Sequence, residues 1–204
     1  MFIGCTSLID TPIFAGRIGA GGCQEMFLGC TSLTTIYSLP APTRTYQYRG
    51  TFSRCTSLQT APAMHSTLTA YCYYLMFEGC TSLTQVPSLP ATTLAEGCYQ
   101  SMFAGCTGLT ALPDMSNDDL PSKCYKKMFY DISHMRDDKR MLSASQTGDF
   151  QYEFRINAST AAADATDKMF SYEDEGGVDA SYPGSSPTIN TTYYSKLPTA
   201  QSQR

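Results

Sequence analysis

The octapeptide Met76-Phe77-Glu78-Gly79-Cys80-Thr81-Ser82-Leu83 decides the fold, because close copies of it recur along the chain. A further copy begins at Met128 and then degenerates, and the other copies begin at Met1, Met26, Thr51 and Met102. Successive copies lie 25, 25, 25, 26 and 26 residues apart. A fixed period of this length is typical of repeat proteins, in which each unit buries its apolar side chains only against the neighbouring units.

A one-sided apolar stripe predicts a short helix in each unit. Leu94, Cys98, Met102 and Cys106 recur every four residues, and the preceding unit repeats this spacing. Apolar residues spaced in this way are typical of one face of a helix. The fourth position of the phrase should hold a left-handed residue that ends the helix, and it is Gly in four copies, namely Gly4, Gly29, Gly79 and Gly105. Arg54 replaces this glycine in the third copy, where we expect a different helix end.

A very short strand is expected after each phrase. Apolar residues follow at intervals of three, and a proline comes directly after the second of them in three units, at Pro62, Pro87 and Pro113. Proline removes a donor from a strand ladder, so the strands should be only two to four residues long, as at Thr34–Tyr37. The sequence therefore predicts an α/β repeat fold, a leucine-rich-repeat solenoid with short parallel strands on one face and short helices on the other.

The predicted solenoid covers residues 1–130 in about five repeats, and residues 131–204 should form an irregular C-terminal cap and a partly disordered tail. The positions that the copies share should form a buried structural ladder, made of Phe27, Cys30, Leu33, Phe52, Cys55, Leu58, Phe77, Cys80, Leu83, Phe103, Cys106 and Leu109. Because Met1 falls inside a phrase rather than in a polar capping unit, we also expect the chain to be a fragment of something longer.

Nine cysteines are interpreted mainly as small buried hydrophobic residues. Five belong to the phrases, and four more form a second column, with Tyr48 near its missing member; these are Cys23, Cys72, Cys98 and Cys124. The odd number argues against a fully paired disulfide framework, and no close C-x-x-C pairs suggest zinc. We therefore predict no metal and no cofactor.

The repeated F-x-G-C-T-S-L phrase, followed by a strand, a proline turn and a helix, resembles the BspA-like leucine-rich repeats of bacterial surface proteins. The resemblance covers about residues 1–130, although the prolines in the strands and the L-P-A-T-T-L turn at Leu89–Leu94 depart from the commonest family pattern. It implies a cell-surface or secreted protein that binds proteins or other cells. No leader that would act as a signal peptide is visible in the sequence.

Charge and motif content exclude several classes of function. Residues 1–112 carry four basic and four acidic side chains, so they offer no basic stripe for nucleic acid. No apolar run approaches the length of a membrane helix, and we expect no membrane insertion. The chain has only two histidines, His65 and His134, and none of the common hydrolase, phosphate-loop or metalloprotease motifs. Cys72 with His65 is the weak remaining candidate for thiol catalysis, and we predict that the protein is not an enzyme.

The leading hypothesis is a recognition or adhesion protein that binds an extracellular protein or glycan through its repeats. One candidate surface is the predicted strand face, with Thr35, Tyr37 and Gln85. The other is the irregular third unit, counted so that each unit includes the residues just before its phrase. It holds Arg44, Tyr46, Tyr48 and Arg49 ahead of the phrase at Thr51, and Tyr and Arg dominate binding hot spots. Two alternatives stay open: these tyrosines are half-buried packing residues, or the chain is a structural spacer arm of a larger surface or phage-tail protein.

Overall fold

A computed structural model describes residues 1–14, 22–110, 117, 119–132, 160–162, 164–165, 169, 171–173 and 179–181. Four short strands occur within these residues: β1 (Asp119–Leu120), β2 (Thr160–Ala161), β3 (Ser171–Glu173) and β4 (Asp179–Ser181). Strand β1 pairs with β2 in parallel, whereas β3 pairs with β4 antiparallel. The strand predicted from the alternating residues 150–156 lies outside the described residues.

The predicted leucine-rich-repeat solenoid of helices and strands is wrong. The described residues contain no helix, and they place only turns where the sequence predicts one. In the expected strand Thr34–Tyr37 the structure has a single parallel bridge, which joins Thr35 to Asp10. The corresponding segments at residues 59–62 and 84–87 have no strand.

Overlapping turns replace the helix in each unit. In residues 69–80, every second backbone N–H donates to the carbonyl three residues earlier. Examples are Tyr74 N to Tyr71 O and Met76 N to Tyr73 O, at 3.2 and 3.1 Å. Bonds of this reach close β-turns, whereas an α-helix bonds each residue to the fourth before it. We call such a segment a turn run, and residues 44–55, 95–106 and 121–130 form equivalent runs.

A left-handed residue recurs every four positions in each turn run. In residues 69–80 these are Tyr71, Leu75 and Gly79, with φ of 53°, 56° and 70°. Each is the third residue of a hydrogen-bonded turn, where a positive φ is the mark of type II geometry. Gly79 and its counterparts take the predicted left-handed conformation, and Arg54 does so too with φ of 59°. The expectation of a different geometry at Arg54 is therefore wrong.

The period of the apolar residues explains why turns replace the helix. A step of four residues in an α-helix overshoots a full rotation by about 40°, so three such steps drift by about 120°. A run of turns with one left-handed residue every four positions has a repeat of four and does not drift. Cys72, Met76 and Cys80 therefore all stay in the core, and all three are buried.

Neighbouring units are joined by the backbone N–H groups that the turns leave free. Tyr73 N donates to Cys98 O and Phe77 N to Met102 O, at 3.1 and 3.0 Å. Each donor thus reaches a carbonyl about 25 residues ahead, while its chain neighbours bond inside their own turn run. The alternation satisfies the buried backbone without any regular secondary structure.

The core consists of columns of equivalent side chains. Phenylalanine rings of successive units stack in parallel, with centroids 5.4 to 5.9 Å apart from Phe2 to Phe129. A tyrosine column runs beside it, with centroids 5.9 to 6.0 Å apart from Tyr48 to Tyr125. The structure fully buries every member of the predicted ladder: Phe27, Cys30, Leu33, Phe52, Cys55, Leu58, Phe77, Cys80, Leu83, Phe103, Cys106 and Leu109.

The second cysteine column is shorter than the sequence suggests. Cys23 N donates to Gln47 O, just as Tyr48 N donates to Cys72 O. Cys23 is therefore equivalent to Tyr48 and occupies the first position of the tyrosine column, not of the cysteine column. Gln47 occupies the position equivalent to Cys72 and is buried. Its side-chain oxygen accepts hydrogen bonds from the backbone N–H and the hydroxyl of Thr43, at 2.8 and 3.2 Å. The third unit thus departs from the three units that follow it inside the core as well as outside it.

Described residues of the C-terminal part continue the stack beyond the last complete turn run. Tyr125 N donates to Ala165 O at 2.8 Å and Phe129 N donates to Met169 O at 3.0 Å. Ala165 and Met169 are buried. Part of the segment expected to act as a cap therefore packs on the core.

Candidate functional site

The turn runs bring four side chains together on the outside of the third and fourth units. Tyr46 and Arg49 come from the third unit, and Tyr71 and Tyr74 from the fourth. We call this group the tyrosine cluster. Two of its members were predicted site residues, and the other two belong to the tyrosine-rich stretch of the next unit. The turn run positions them because residues 25 apart occupy equivalent places in neighbouring units.

The rings of the tyrosine cluster pack mainly on one another. Tyr46 and Tyr71 stack with centroids 4.8 Å apart and ring planes 17° apart. Tyr74 meets both of them edge-on, with centroids 6.4 and 6.3 Å away. The Arg49 guanidinium lies 5.9 Å from the centre of the Tyr74 ring, at the outer limit of a cation–π contact. Much of the aromatic face area is therefore already covered within the protein.

Gly97 makes room for the ring of Tyr71. A Cβ atom on Gly97 would lie 2.3 Å from Cε1 and 2.4 Å from Cδ1 of Tyr71, closer than any real contact. Gly97 is the residue of the fifth unit that is equivalent to Tyr71, and its φ of 56° is left-handed. The Tyr71 ring therefore lies between the ring of Tyr46 and the bare backbone of Gly97.

Ion pairs flank the tyrosine cluster on both sides. Arg49 Nη2 lies 3.5 Å from Glu25 Oε1, and Lys123 Nζ lies 3.7 Å from Glu96 Oε1. The Tyr71 hydroxyl donates to Glu96 Oε1 at 2.6 Å and accepts from Lys123 Nζ at 3.4 Å. The hydrogen bond to the Glu96 carboxylate raises the pKa of Tyr71 above its usual value. The phenol stays neutral, and its proton is directed to Glu96.

Tyr48 does not belong to the surface, although the sequence suggested a binding role for it. Its side chain is fully buried in the tyrosine column, and its hydroxyl donates to Pro40 O. Burial raises the pKa of Tyr48 to about 12. Tyr73 is buried in the same column. Some tyrosines of the third and fourth units are therefore buried and others lie on the surface. The alternative interpretation, that these tyrosines are packing residues, applies to Tyr48 and Tyr73.

The remaining predicted site residues are exposed and do not belong to the tyrosine cluster. Thr35 and Gln85 are exposed in the segments that follow the phrase, and Tyr37 is 43% exposed there. The backbone N–H of Tyr37 donates to Thr11 Oγ1 at 3.1 Å. Arg44 is exposed at the start of its turn run, and its carbonyl oxygen accepts from Thr69 Oγ1 at 2.7 Å. None of these residues makes a ring contact with the tyrosine cluster.

The buried thiols are poor nucleophiles. Burial raises the pKa of the Cys72 thiol to about 11 and that of Cys55 to about 12. The Cys55 thiol donates to Phe27 O at 3.2 Å, a contact that the later phrase cysteines repeat. His65, the only candidate partner of Cys72, has its Nε2 atom 2.7 Å from Leu39 O. Since a reactive cysteine needs a thiolate, these sites do not support thiol catalysis.

Within the described residues, no group of three or more His, Cys, Asp and Glu side chains could hold a metal ion. In that same part of the chain, no helix is long and apolar enough to cross a membrane.

Sequence reasoning missed the charged and glycine neighbours of the tyrosine cluster. Glu25, Glu96, Gly97 and Lys123 were not predicted as site residues. The signal was present in the repeat period, since Gly97 lies 26 residues after Tyr71 and Lys123 lies 26 residues after Gly97. Residues separated by one or two periods become neighbours on the surface. Aligning the repeats with one another would have placed these residues at the same repeat position.

No family model matches the chain, and no curated protein or solved structure matches it either.

Proposed function

We propose that this chain is a non-catalytic recognition protein that binds a partner protein through the tyrosine cluster. The observation that carries the proposal is the ordered group of Tyr46, Tyr71, Tyr74 and Arg49 on the outside of two adjacent units. Tyr and Arg are enriched among the residues that dominate binding energy at protein interfaces. The partly exposed rings are held in place by stacking and by Gly97, so little conformational entropy remains to be lost on binding.

A protein partner fits the tyrosine cluster better than a glycan does. Sugars bind aromatic side chains by packing on open ring faces, but Tyr71 is covered by Tyr46 on one face and by Gly97 on the other. The cluster offers ring edges, hydroxyl groups and the Arg49 guanidinium instead. These groups suit the hydrogen bonds and edge contacts of a protein interface. The flanking ion pairs leave the cluster with balanced charge, which agrees with a partner that is not strongly charged.

The resemblance of the repeated phrase to BspA-like surface repeats supports placing this function at the cell surface or in a secreted protein. The structural spacer remains the second candidate. It is favoured by the segments that follow the second, third and fourth phrases, where uncharged Thr and Gln side chains such as Thr35, Thr60 and Gln85 are exposed. A surface of this kind offers solubility but few anchors for a partner.

Binding of the purified chain to arrays of extracellular proteins and glycans tests the proposal. A variant with Tyr46, Arg49 and Tyr74 changed to Ala removes the cluster, and Tyr37→Ala is the matched control because Tyr37 is an exposed tyrosine outside it. We expect saturable binding to a protein that the triple variant loses and the control keeps. Binding to glycans alone, binding that survives in the triple variant, or no binding by the folded chain would contradict the proposal, and the last result would favour the spacer.

A further inference from the structure

Tyr46 and Tyr71 form a closely packed pair of rings on the surface of two adjacent units. Their centroids lie 4.8 Å apart and their planes are 17° apart. The separation is shorter than the 5.4 to 5.9 Å of the phenylalanine column, and near-parallel rings at this distance have carbon atoms in van der Waals contact. Both side chains are partly exposed, so small molecules in solution can reach the pair.

The Tyr71 hydroxyl directs its proton to a base. It donates to Glu96 Oε1 at 2.6 Å, which is a charge-assisted hydrogen bond. A phenol that loses an electron must also lose its O–H proton, because its cation radical is a far stronger acid than the neutral phenol. A carboxylate at hydrogen-bond distance can take this proton as the electron leaves. One-electron oxidation is therefore favoured at Tyr71 over a tyrosine without such a partner.

The tyrosines around this pair are less well placed for a reaction between two rings. Tyr74 meets the Tyr71 ring edge-on, with the centroids 6.3 Å apart. Tyr48 and Tyr73 stack in the core, where close packing leaves their rings no room to turn. The Tyr48 hydroxyl donates to a backbone carbonyl, which is a much weaker base than a carboxylate. Contact between ring carbons and a carboxylate acceptor thus coincide at Tyr46 and Tyr71.

We propose that Tyr46 and Tyr71 are a site of oxidative cross-linking, at which a one-electron oxidant joins the two rings by a carbon–carbon bond. Each ring gives up one electron; the Tyr71 proton goes to Glu96 and the Tyr46 proton to water, which leaves two phenoxyl radicals. Their unpaired electrons form the bond between the ring carbons beside the two C–O carbons. The hydrogens on these carbons then move as protons to the oxygens and restore both phenols, so the net change is the loss of two hydrogen atoms to the oxidant.

The cross-link would fasten the third unit to the fourth. It joins residues 25 positions apart, and a covalent link of this kind stabilises a protein mainly by restricting the unfolded chain. All nine cysteines lie within the described residues and are free, so no disulfide provides such a link. The proposal does not depend on the binding function proposed above, because the reaction needs an oxidant and no partner protein.

Brief illumination of the full-length chain with tris(bipyridine)ruthenium and persulfate, a light-driven one-electron oxidant, tests the proposal. Every variant also carries Cys5→Ser, because Cys5 is the exposed thiol and would compete for the oxidant. We expect the monomeric chain to gain dityrosine fluorescence and to lose the mass of two hydrogen atoms, and peptide mapping should join Tyr46 to Tyr71. Its urea midpoint should rise above that of a Tyr46→Phe chain illuminated in the same way.

Phenylalanine variants identify the rings that react. Tyr46→Phe and Tyr71→Phe keep the stack but remove a phenol, so each should abolish the cross-link within the chain. Tyr74→Phe and Tyr37→Phe are the matched controls, one inside the tyrosine cluster and one outside it, and both should keep the cross-link. Cross-links only between chains, a cross-link that survives in Tyr71→Phe, or a urea midpoint that the cross-link leaves unchanged would overturn the proposal.

Two glutamate variants test the proton acceptor. Glu96→Gln keeps an oxygen that accepts the Tyr71 hydrogen bond but removes the base, so the cross-link should form more slowly by roughly tenfold or more. Glu25→Gln makes the same change of charge at the ion pair with Arg49, on the other flank of the tyrosine cluster, and should leave the rate unchanged. Equal rates for the two variants under the same illumination would overturn the proposal.

Discussion

Replacing Gly97 with alanine tests how the tyrosine cluster is held together. The new Cβ would lie 2.3 Å from the Tyr71 ring, so the ring must leave its place between Tyr46 and Gly97, which breaks its stack with Tyr46 and its hydrogen bond to Glu96. Loss of the aromatic pair costs about 0.5–1.5 kcal/mol. A side chain in the left-handed region costs about 1–2 kcal/mol, which is partly offset by the lower unfolded-state entropy of alanine. We expect a total loss of roughly 2 kcal/mol in the free energy of unfolding.

Gly105→Ala is the matched control for this prediction. Gly105 has the same left-handed conformation, with φ of 70°, but its nearest neighbours are backbone atoms of Gly79 at 3.7 Å, an ordinary contact distance. It should lose only the conformational part, roughly 1 kcal/mol. Urea denaturation followed by circular dichroism gives both values, provided that the slopes agree. Equal losses for the two variants, or partner binding that is unaffected by Gly97→Ala, would refute the proposed support of Tyr71 by Gly97.

Two further predictions concern the core. Phe77→Ala removes a fully buried ring from the middle of the phenylalanine column and should lower the free energy of unfolding by about 3–5 kcal/mol. Phe2→Ala, at the half-buried end of the column, should lower it clearly less. Denaturant midpoints of the two variants decide this, and equal losses would contradict the column. Stability should also fall as the pH rises from about 9 to about 12. Burial raises the pKa of the Cys23 and Cys72 thiols from 9.0 to about 11 and that of Cys55 to about 12. The unfolded chain therefore loses these protons at a lower pH than the folded chain does, which favours unfolding. Urea midpoints measured from pH 7 to pH 12 check this, and a midpoint that stays constant to pH 12 would contradict it.

The buried positions follow from the sequence, but the local backbone does not. Repetition alone identified the Phe, Cys and Leu positions that the structure buries, because a side chain shared by all units has its own copies as neighbours. The same repetition suggests a helix through Leu94, Cys98, Met102 and Cys106, since apolar residues four apart satisfy a helical pattern over a short window. The strict repeat of four over three steps was the distinguishing signal, as a helix would have shifted to a spacing of three at one step.

Left-handed residues are the second reason why the turns were not predicted. Glycine at the fourth phrase position signalled one of them, but Tyr71, Leu75 and Ser101 adopt the same conformation without a glycine. Side chains with a Cβ rarely do so, and the hydrogen bonds within and between units hold them there. In residues 69–80, the local sequence therefore gives no signal for two of the three left-handed positions, Tyr71 and Leu75.

The candidate site was predicted in part. The excess of Tyr and Arg in the third unit pointed to the region in which the structure brings Tyr46 and Arg49 into one cluster. The sequence could not separate Tyr46 from Tyr48. The backbone between them is neither a helix nor a strand, so neither periodic pattern predicts which side each ring takes. In the turn run the two side chains go to different sides, one to the surface and one to the tyrosine column.

The stability order of Ser101, S101G and S101A tests the turn runs most directly. Ser101 is buried and left-handed, with φ of 51°, in the middle of the run at residues 95–106. In a turn run, Ser101→Gly removes conformational strain and should raise the free energy of unfolding by about 0.5–1 kcal/mol, while Ser101→Ala should not raise it. In a helix the order reverses, because alanine is favoured over glycine by about 1 kcal/mol. Urea denaturation with glycine as the most stable variant is the predicted result, and alanine as the most stable would contradict the account.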